Sequence, residues 1–155
     1  MAGHDVFTSQ CEYDADDPAG FRAGVLDLKK ALAAEALAVR VFELPPGESL
    51  CPYHYEYEEE WLIVLEGAVR LRVPGGETVL ARGEAACFPA GPAGAHRVGH
   101  AGEGIARVLM FSSAREPAVA VYPDSDKIGV WPGNEADHVM LHRADGHVDY
   151  WDGES

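Results

Sequence analysis

Apolar and polar residues alternate along much of this chain with a period of two, the spacing of a strand that buries one face. Leu37, Val39 and Val41 alternate with Ala38, Arg40 and Phe42 and stop at Pro45, Pro46 and Gly47, a strong breaker. Val69, Leu71 and Val73 alternate with Arg70 and Arg72 up to Pro74, Gly75 and Gly76, after which Thr78 to Leu80 is predicted to pair back as a hairpin. Trp61 to Leu65 is an unbroken apolar run closed by Gly67, the mark of a buried strand, and Ile105 to Phe111 is a second apolar strand. Ala23 to Leu28 predicts a short first strand. Lys29 to Glu35 favours helix by composition but is too short to stand as one, so a turn is expected there. Many short strands with frequent Gly and Pro turns predict an all-β fold of antiparallel strands, a barrel or a sandwich.

At 155 residues the chain is one domain by size and long enough to bury a core unaided. Residues 1–22, polar and acidic, read as an N-terminal arm, residues 23–112 as the barrel, and residues 113–155 as a C-terminal β extension packing on it. In that extension Asp145 and Gly146 signal a two-residue hairpin, which would put Val139, Leu141, Val148 and Tyr150 on one face and set His142 opposite Asp149. His138 and His142 have the four-residue interval of a helical metal site, but the local pattern is strand-like.

Pro52 to Gly67 carries the candidate chemistry. Tyr53, Tyr55 and Tyr57 fall on one parity and His54, Glu56 and Glu58 on the other, so an extended strand presents an imidazole and carboxylates together, beside the core strand that follows. Carboxylates next to a core cost free energy unless they are paired, protonated or bound to a cation. Downstream, Gly83 to His100 delivers His96 after a loop of Pro, Ala and Gly.

These two segments resemble the two motifs of the cupin superfamily, G-x5-H-x-H-x3or4-E-x6-G and G-x5-P-x-G-x2-H-x3-N. His54 takes the first histidine position, Glu56 stands where the second histidine belongs, Glu60 takes the glutamate position, and Gly67 follows at the family interval. Gly83, Pro89 and Gly91 keep the spacing of the second motif, and His96 is the candidate for its histidine. Gly47 lies one residue too far from His54, His96 lies two residues too far from Gly91, and His100 replaces the usual asparagine. The resemblance, over roughly residues 37–111, implies a cupin-type jelly-roll β-barrel that holds a divalent metal on His54, Glu56, Glu60 and His96. The tail past Ser112 looks like one found in bacterial cupins of unassigned activity.

Imidazole with carboxylate suits Fe, Mn, Ni, Zn or Co better than Mg or Ca. Glu56 is either a fourth ligand, which makes the site harder and favours Mn or Fe, or a free general base beside the metal. The expected function is that of a metal-dependent enzyme on a small organic molecule, of oxygenase or isomerase type. The alternatives are a non-catalytic small-molecule binding or sensing protein and, on the bland side, a barrel without an ion whose His54, Glu60 and His96 are ordinary hydrogen-bonded polar residues. His100 is expected at the barrel rim. The tyrosine stripe is expected outside the site, packed under the chain's own arm or forming a homodimer interface, since the family is commonly dimeric.

Charge removes some partners from consideration. A net charge of -14 with scattered Lys and Arg argues against nucleic acid. The N-terminus has no signal-like run and no segment is long enough to span a bilayer, so a cytoplasmic protein is expected. Three cysteines, Cys11, Cys51 and Cys87, without a CxxC pair fit a reducing compartment; Cys51 is read as a small buried hydrophobe, with a redox-sensitive thiol as the alternative.

Overall fold

The alternating segments build three antiparallel sheets in the computed structural model, which describes residues 3–154. In chain order the elements are β1 (Glu12–Tyr13), β2 (Gly24–Asp27), α1 (Leu28–Ala31), β3 (Leu37–Leu44), β4 (Tyr55–Glu56), β5 (Glu60–Glu66), β6 (Ala68–Val73), β7 (Gly76–Ala81) and β8 (Ala85–Phe88), followed by β9 (Arg97–Ala101), β10 (Ala106–Ser113), β11 (Ala118–Tyr122), β12 (Lys127–Trp131) and β13 (Val139–His142). The larger sheet runs β1-β2-β3-β10-β5-β8, the second runs β13-β12-β11-β4 and the third runs β7-β6-β9. The fold is all-β and antiparallel, as the strand pattern predicts, and of the jelly-roll type that the cupin resemblance implies.

One core lies between the larger sheet and the three-stranded sheet. It takes Leu44 from β3, Leu62 and Val64 from β5, Phe88 from β8 and Ala106 and Val108 from β10, and faces them with Val69, Leu71 and Val98. The other face of the larger sheet is also covered. Val41 and Leu65 pack there with Cys11 and Leu28, flanked by Val6, Leu26, Val39, Ile63 and Leu109. β3 therefore buries residues on both faces, and its two parities belong to two different cores.

Arg107, on that outer face of β10, is buried and ties the arm down. Its Nε donates to Val6 O at 2.7 Å, and its Nη groups donate to Ser9 O and to the Glu43 carboxylate. A cation out of water persists only when its donors are met, and here the arm's carbonyls meet them. Arg107→Ala is expected to cost about 3–5 kcal/mol in denaturant unfolding and to open residues 3–11 to limited proteolysis. Pairing Arg107→Met with Glu43→Leu should recover much of the stability but leave the arm open, because the donors to the Val6 and Ser9 carbonyls stay lost.

Three local expectations need correction. Lys29 to Glu35 is not a simple turn: α1 forms one helical turn because Asp27 caps it, its Oδ1 accepting from Lys30 N at 3.0 Å, and because Leu28 is buried beneath. The Asp145–Gly146 hairpin does not form. β13 pairs backward with β12, Leu141 opposite Ile128, and no strand follows it among the described residues: the chain turns over residues 143–146, and Val148 and Tyr150 are exposed. Nor is Pro52 to Glu58 one strand: only Tyr55 and Glu56 are in β4, paired with β11, so the tyrosine stripe is broken. Tyr53 is buried with the Arg72 guanidinium 4.0 Å over its ring, whereas Tyr57 is exposed and meets Tyr55 edge-on.

Candidate metal centre

His54 and His96 are brought together by their own backbones. His54 N donates to His96 O at 3.0 Å and His96 N donates to His54 O at 2.8 Å, a reciprocal antiparallel pair that places both side chains on one side. The loop before His96 is what lets the chain arrive there. Gly91 is at φ +84°, and a Cβ on Gly94 would stand 1.8 Å from Pro89 O, so neither position accepts another residue without displacement. Gly91 N also donates to Glu56 O at 2.7 Å, which fastens the loop to β4. Glu60 opens β5, opposite Phe88 on β8 and Ser112 on β10, on the same face as Leu62 and Val64 but one step beyond the apolar core.

Each imidazole has its Nδ1 against a carbonyl: His54 Nδ1 is 3.0 Å from Pro52 O and His96 Nδ1 is 2.9 Å from Gly94 O. A carbonyl only accepts, so Nδ1 carries the proton and each Nε2 is left with a lone pair. These Nε2 atoms converge on Glu60 Oε2, at 3.9 Å for His54 and 3.7 Å for His96. His96, fully buried with its ring stacked 3.6 Å from Phe88, has no hydrogen-bond partner at Nε2 among the described residues. An orphaned buried acceptor aimed at a carboxylate is the arrangement a cation completes.

One ligand atom from each of His54, Glu60 and His96 lies within 4.8 Å of the other two. Donors around a transition ion stand roughly 3–4 Å apart, so this trio fits one with small adjustment. Glu56 stands outside the trio, its Oε1 4.0 Å from His54 Nε2.

Electrostatics say the same. Burial lifts the Glu60 carboxyl to about 8, the Glu56 carboxylate adding to the rise. Burial, then the neighbouring His54, drops the His96 imidazole to about 4. Burial also lowers His54 and raises Glu56. Left to themselves, these groups shed charge. A cation would reverse the balance by favouring the carboxylate and the neutral imidazoles.

His54 and Glu60 of the cluster, with Glu56, line a cavity of about 160 Å³ together with Arg40, Phe42, Leu50, Cys51, Met110 and Ser112. A wider vestibule of about 550 Å³ opens beside it and shares Arg40, His54 and Glu56. Several of these residues carry no signal in the sequence. Arg40 sits in an alternating strand where it reads as solvated. Tyr122, whose ring lies 5.8 Å from that of His54 and whose hydroxyl burial pushes up to about 12, belongs to the tail. The Cys51 thiol is 3.5 Å from His54 Nδ1 and is likewise pushed up to about 12, by burial and then by Glu60, so it is a neutral thiol rather than a thiolate. His100 points elsewhere, in a groove with Arg70, Arg72 and Arg97 on the three-stranded sheet. His138 lines the vestibule, and His142 ends β13. Among the described residues no helix is long and apolar enough to cross a membrane.

Residues 40–112 match the cupin domain family. Over 75 residues the chain is 35% identical to the tetracenomycin polyketide synthase protein TcmJ of Streptomyces glaucescens, covering 48% of this chain; it spans about half the length of that curated relative, 49%. The fold is similar to that of a candidate sugar phosphate isomerase from Acidithiobacillus ferrooxidans, with a TM-score of 0.80, 21% identity and coverage of 96% of this chain and 95% of that one. It is also similar to a sugar phosphate isomerase of the cupin superfamily from Silicibacter pomeroyi, with a TM-score of 0.77, 22% identity and coverage of 96% and 98%. The polyketide cyclase RemF from Streptomyces resistomycificus superposes at a TM-score of 0.61 with 22% identity over 76% of this chain and 83% of that one.

Proposed function

We propose, from the match of residues 40–112 to the cupin domain family and from the geometry of the site, that His54, Glu60 and His96 hold a divalent transition metal and that the protein is a metal-dependent enzyme on a small organic molecule, of isomerase type. The observation that carries this reading is the buried, unpartnered Nε2 of His96 facing Glu60. Two histidines and a carboxylate suit Fe, Mn, Ni or Zn. When bound, such an ion supplies a Lewis acid that polarises a substrate oxygen.

The rest is done by the chain. Glu56 replaces the family's second histidine with a carboxylate. A carboxylate that stays off the ion is free to take a proton from the carbon beside a carbonyl carbon and return it to that carbonyl carbon, while the hydroxyl proton of the first carbon passes to the carbonyl oxygen, which is an isomerisation with no net redox change. Its raised proton affinity moves it towards neutral pH, where a base is most effective. Leu50, Phe42 and Met110 line the inner cavity and limit water there. The neighbours named as sugar phosphate isomerases and a polyketide cyclase support proton-transfer chemistry over oxygenation. Three free cysteines support a reducing, cytoplasmic setting, and a homodimer is the assembly the family implies, which light scattering at twice the chain mass would check.

Glu56→Gln is the decisive substitution. Metal content measured by elemental analysis should match the wild type while turnover in a metabolite screen falls about 10²–10⁴-fold. Metal content that falls together with turnover would make Glu56 a fourth ligand instead. Stoichiometric binding without turnover in the loaded wild type would replace the enzyme by a binding or sensing protein.

A further inference from the structure

We propose that Arg40 is an anion anchor, so that the ligand of this cavity is a small organic anion, a carboxylate or a phosphate ester, with its charged end on Arg40 and its other end at the His54, Glu60 and His96 cluster. This deepens the reading above and rests on it for the reacting end only. The register places Arg40 well for such a role. Met110 on β10 is opposite Arg40 on one side and Leu62 on the other, and Ser112 is opposite Ala38 and Glu60. Arg40 and Glu60 therefore share the inner face of the larger sheet, two strands apart and one step out of line. Two strand spacings put their backbones about 10 Å apart. Ala38 and Ser112, the residues between them at the open end, are small. A molecule of a few carbon atoms fits that separation with one end at each.

Two further observations favour a ligand over a purely structural role. Among the described residues the ion pair of Arg40 runs through Nε, 3.4 Å from Asp27 Oδ2, which leaves the Nη fork that grips a carboxylate or phosphate at two points unengaged. The cavity is otherwise acidic: Glu56 and Glu60 line its floor, and Glu58 and Glu116 line the vestibule. In a chain of net charge -14, Arg40, half-exposed, is among the described residues the cation on the wall of the inner cavity, with Lys29 and Arg115 at the wider mouth. Anions would otherwise be repelled from this opening. The cations give them one wall to follow inward.

The test uses full-length protein reconstituted with Mn²⁺, its metal content measured first, and titrated calorimetrically with malonate, inorganic phosphate and neutral malonamide. The variants are Arg40→Gln, Arg40→Lys and, as a control for loss of one positive charge elsewhere, Arg82→Gln. Wild type and Arg82→Gln should bind malonate or phosphate and ignore malonamide. Arg40→Gln should bind about tenfold to a hundredfold more weakly with unchanged metal content, and Arg40→Lys should fall between, since it keeps the charge and loses the fork. The better of the two anions identifies the charged group of the ligand. Equal anion binding by Arg40→Gln and the wild type, or no anion binding by fully loaded wild type, overturns the anchor. Arg40-dependent anion binding in protein that takes up no metal would uphold the anchor while the metal reading fails, so the two failures are distinguishable.

Discussion

His96→Leu is expected to abolish metal-dependent stabilisation with little change in the stability of the chelated protein. A ligand that binds only the folded state stabilises by about 2.7 kcal/mol at a hundredfold excess over its dissociation constant, which for a chain of this size is a shift of roughly 5–10 °C in melting temperature. The wild type should show that shift between chelator and excess Mn²⁺ or Zn²⁺. In the variant the shift should vanish, because one of the trio's three donors is gone. The chelated form should behave otherwise. His96 is fully buried between Phe88 and His54, with a polar atom that finds no partner. Leucine removes the unsatisfied Nε2 but also the Nδ1–H that His96 donates to Gly94 O, two changes of opposite sign and similar size, so the chelated variant should melt close to the chelated wild type. A wild-type curve indifferent to chelator and metal would end the metal proposal and leave the polar-core alternative standing.

The pH dependence of the chelated protein should differ in sign from that of the loaded one above pH 6.5. Glu60, lifted to about 8, keeps a proton in the folded state that the unfolded chain has lost above 4.5. Stability therefore falls as pH rises through that window, by at most about 1.4 kcal/mol per pH unit. His96, lowered to about 4, does the opposite: the unfolded chain binds a proton below 6.5 that the folded chain refuses, so stability falls as pH drops from 6.5 to 4. Glu56 and His54 shift in the same senses and add to the two arms. Between 4.5 and 6.5 the arms oppose each other, and from 6.5 to 8 only the carboxylate arm remains. The chelated protein should lose on the order of 1–2 kcal/mol across that last interval. A bound cation holds Glu60 ionised and competes with its proton, so loaded protein should not show the fall, and the gap in melting temperature should widen from pH 6.5 to 8. Glu60→Gln should flatten the chelated profile; a chelated profile that rises over this interval would contradict the assigned burial of Glu60.

Much of the fold was legible because strand periodicity is a local property. Val69, Leu71 and Val73 against Arg70 and Arg72 produce β6, and the Pro and Gly residues after them produce its turn into β7, as the pattern predicts. Gly91 of the second motif was legible for a similar reason, its left-handed backbone being a demand of the loop itself, whereas the lack of room for a Cβ at Gly94 appears only in the folded chain. His54, Glu60 and His96 were reached through motif intervals, and the geometry brings those three together. Glu56, placed with them by the same intervals, lies on the two-residue β4 with its Oε1 4.0 Å from His54 Nε2.

What the sequence determined by itself is therefore strand content, turns and the identity of the His and Glu cluster, all set by nearest-neighbour chemistry or fixed spacing. Only the tertiary structure decided which face each parity meets. In β3 the parity of Val39 and Val41 looks like the core and that of Ala38, Arg40 and Phe42 looks like solvent, yet the arm held by Arg107 covers the first and the cavity takes the second. Period-two alternation distinguishes the two faces of a strand but not the inside of a barrel from an outside that another segment covers. That depends on contacts between residues far apart in the chain, such as Arg107 with Val6 and Ser9, or Tyr122 with His54. Such contacts leave no periodic trace, and for that reason the cation of the cavity wall was invisible until the chain was folded.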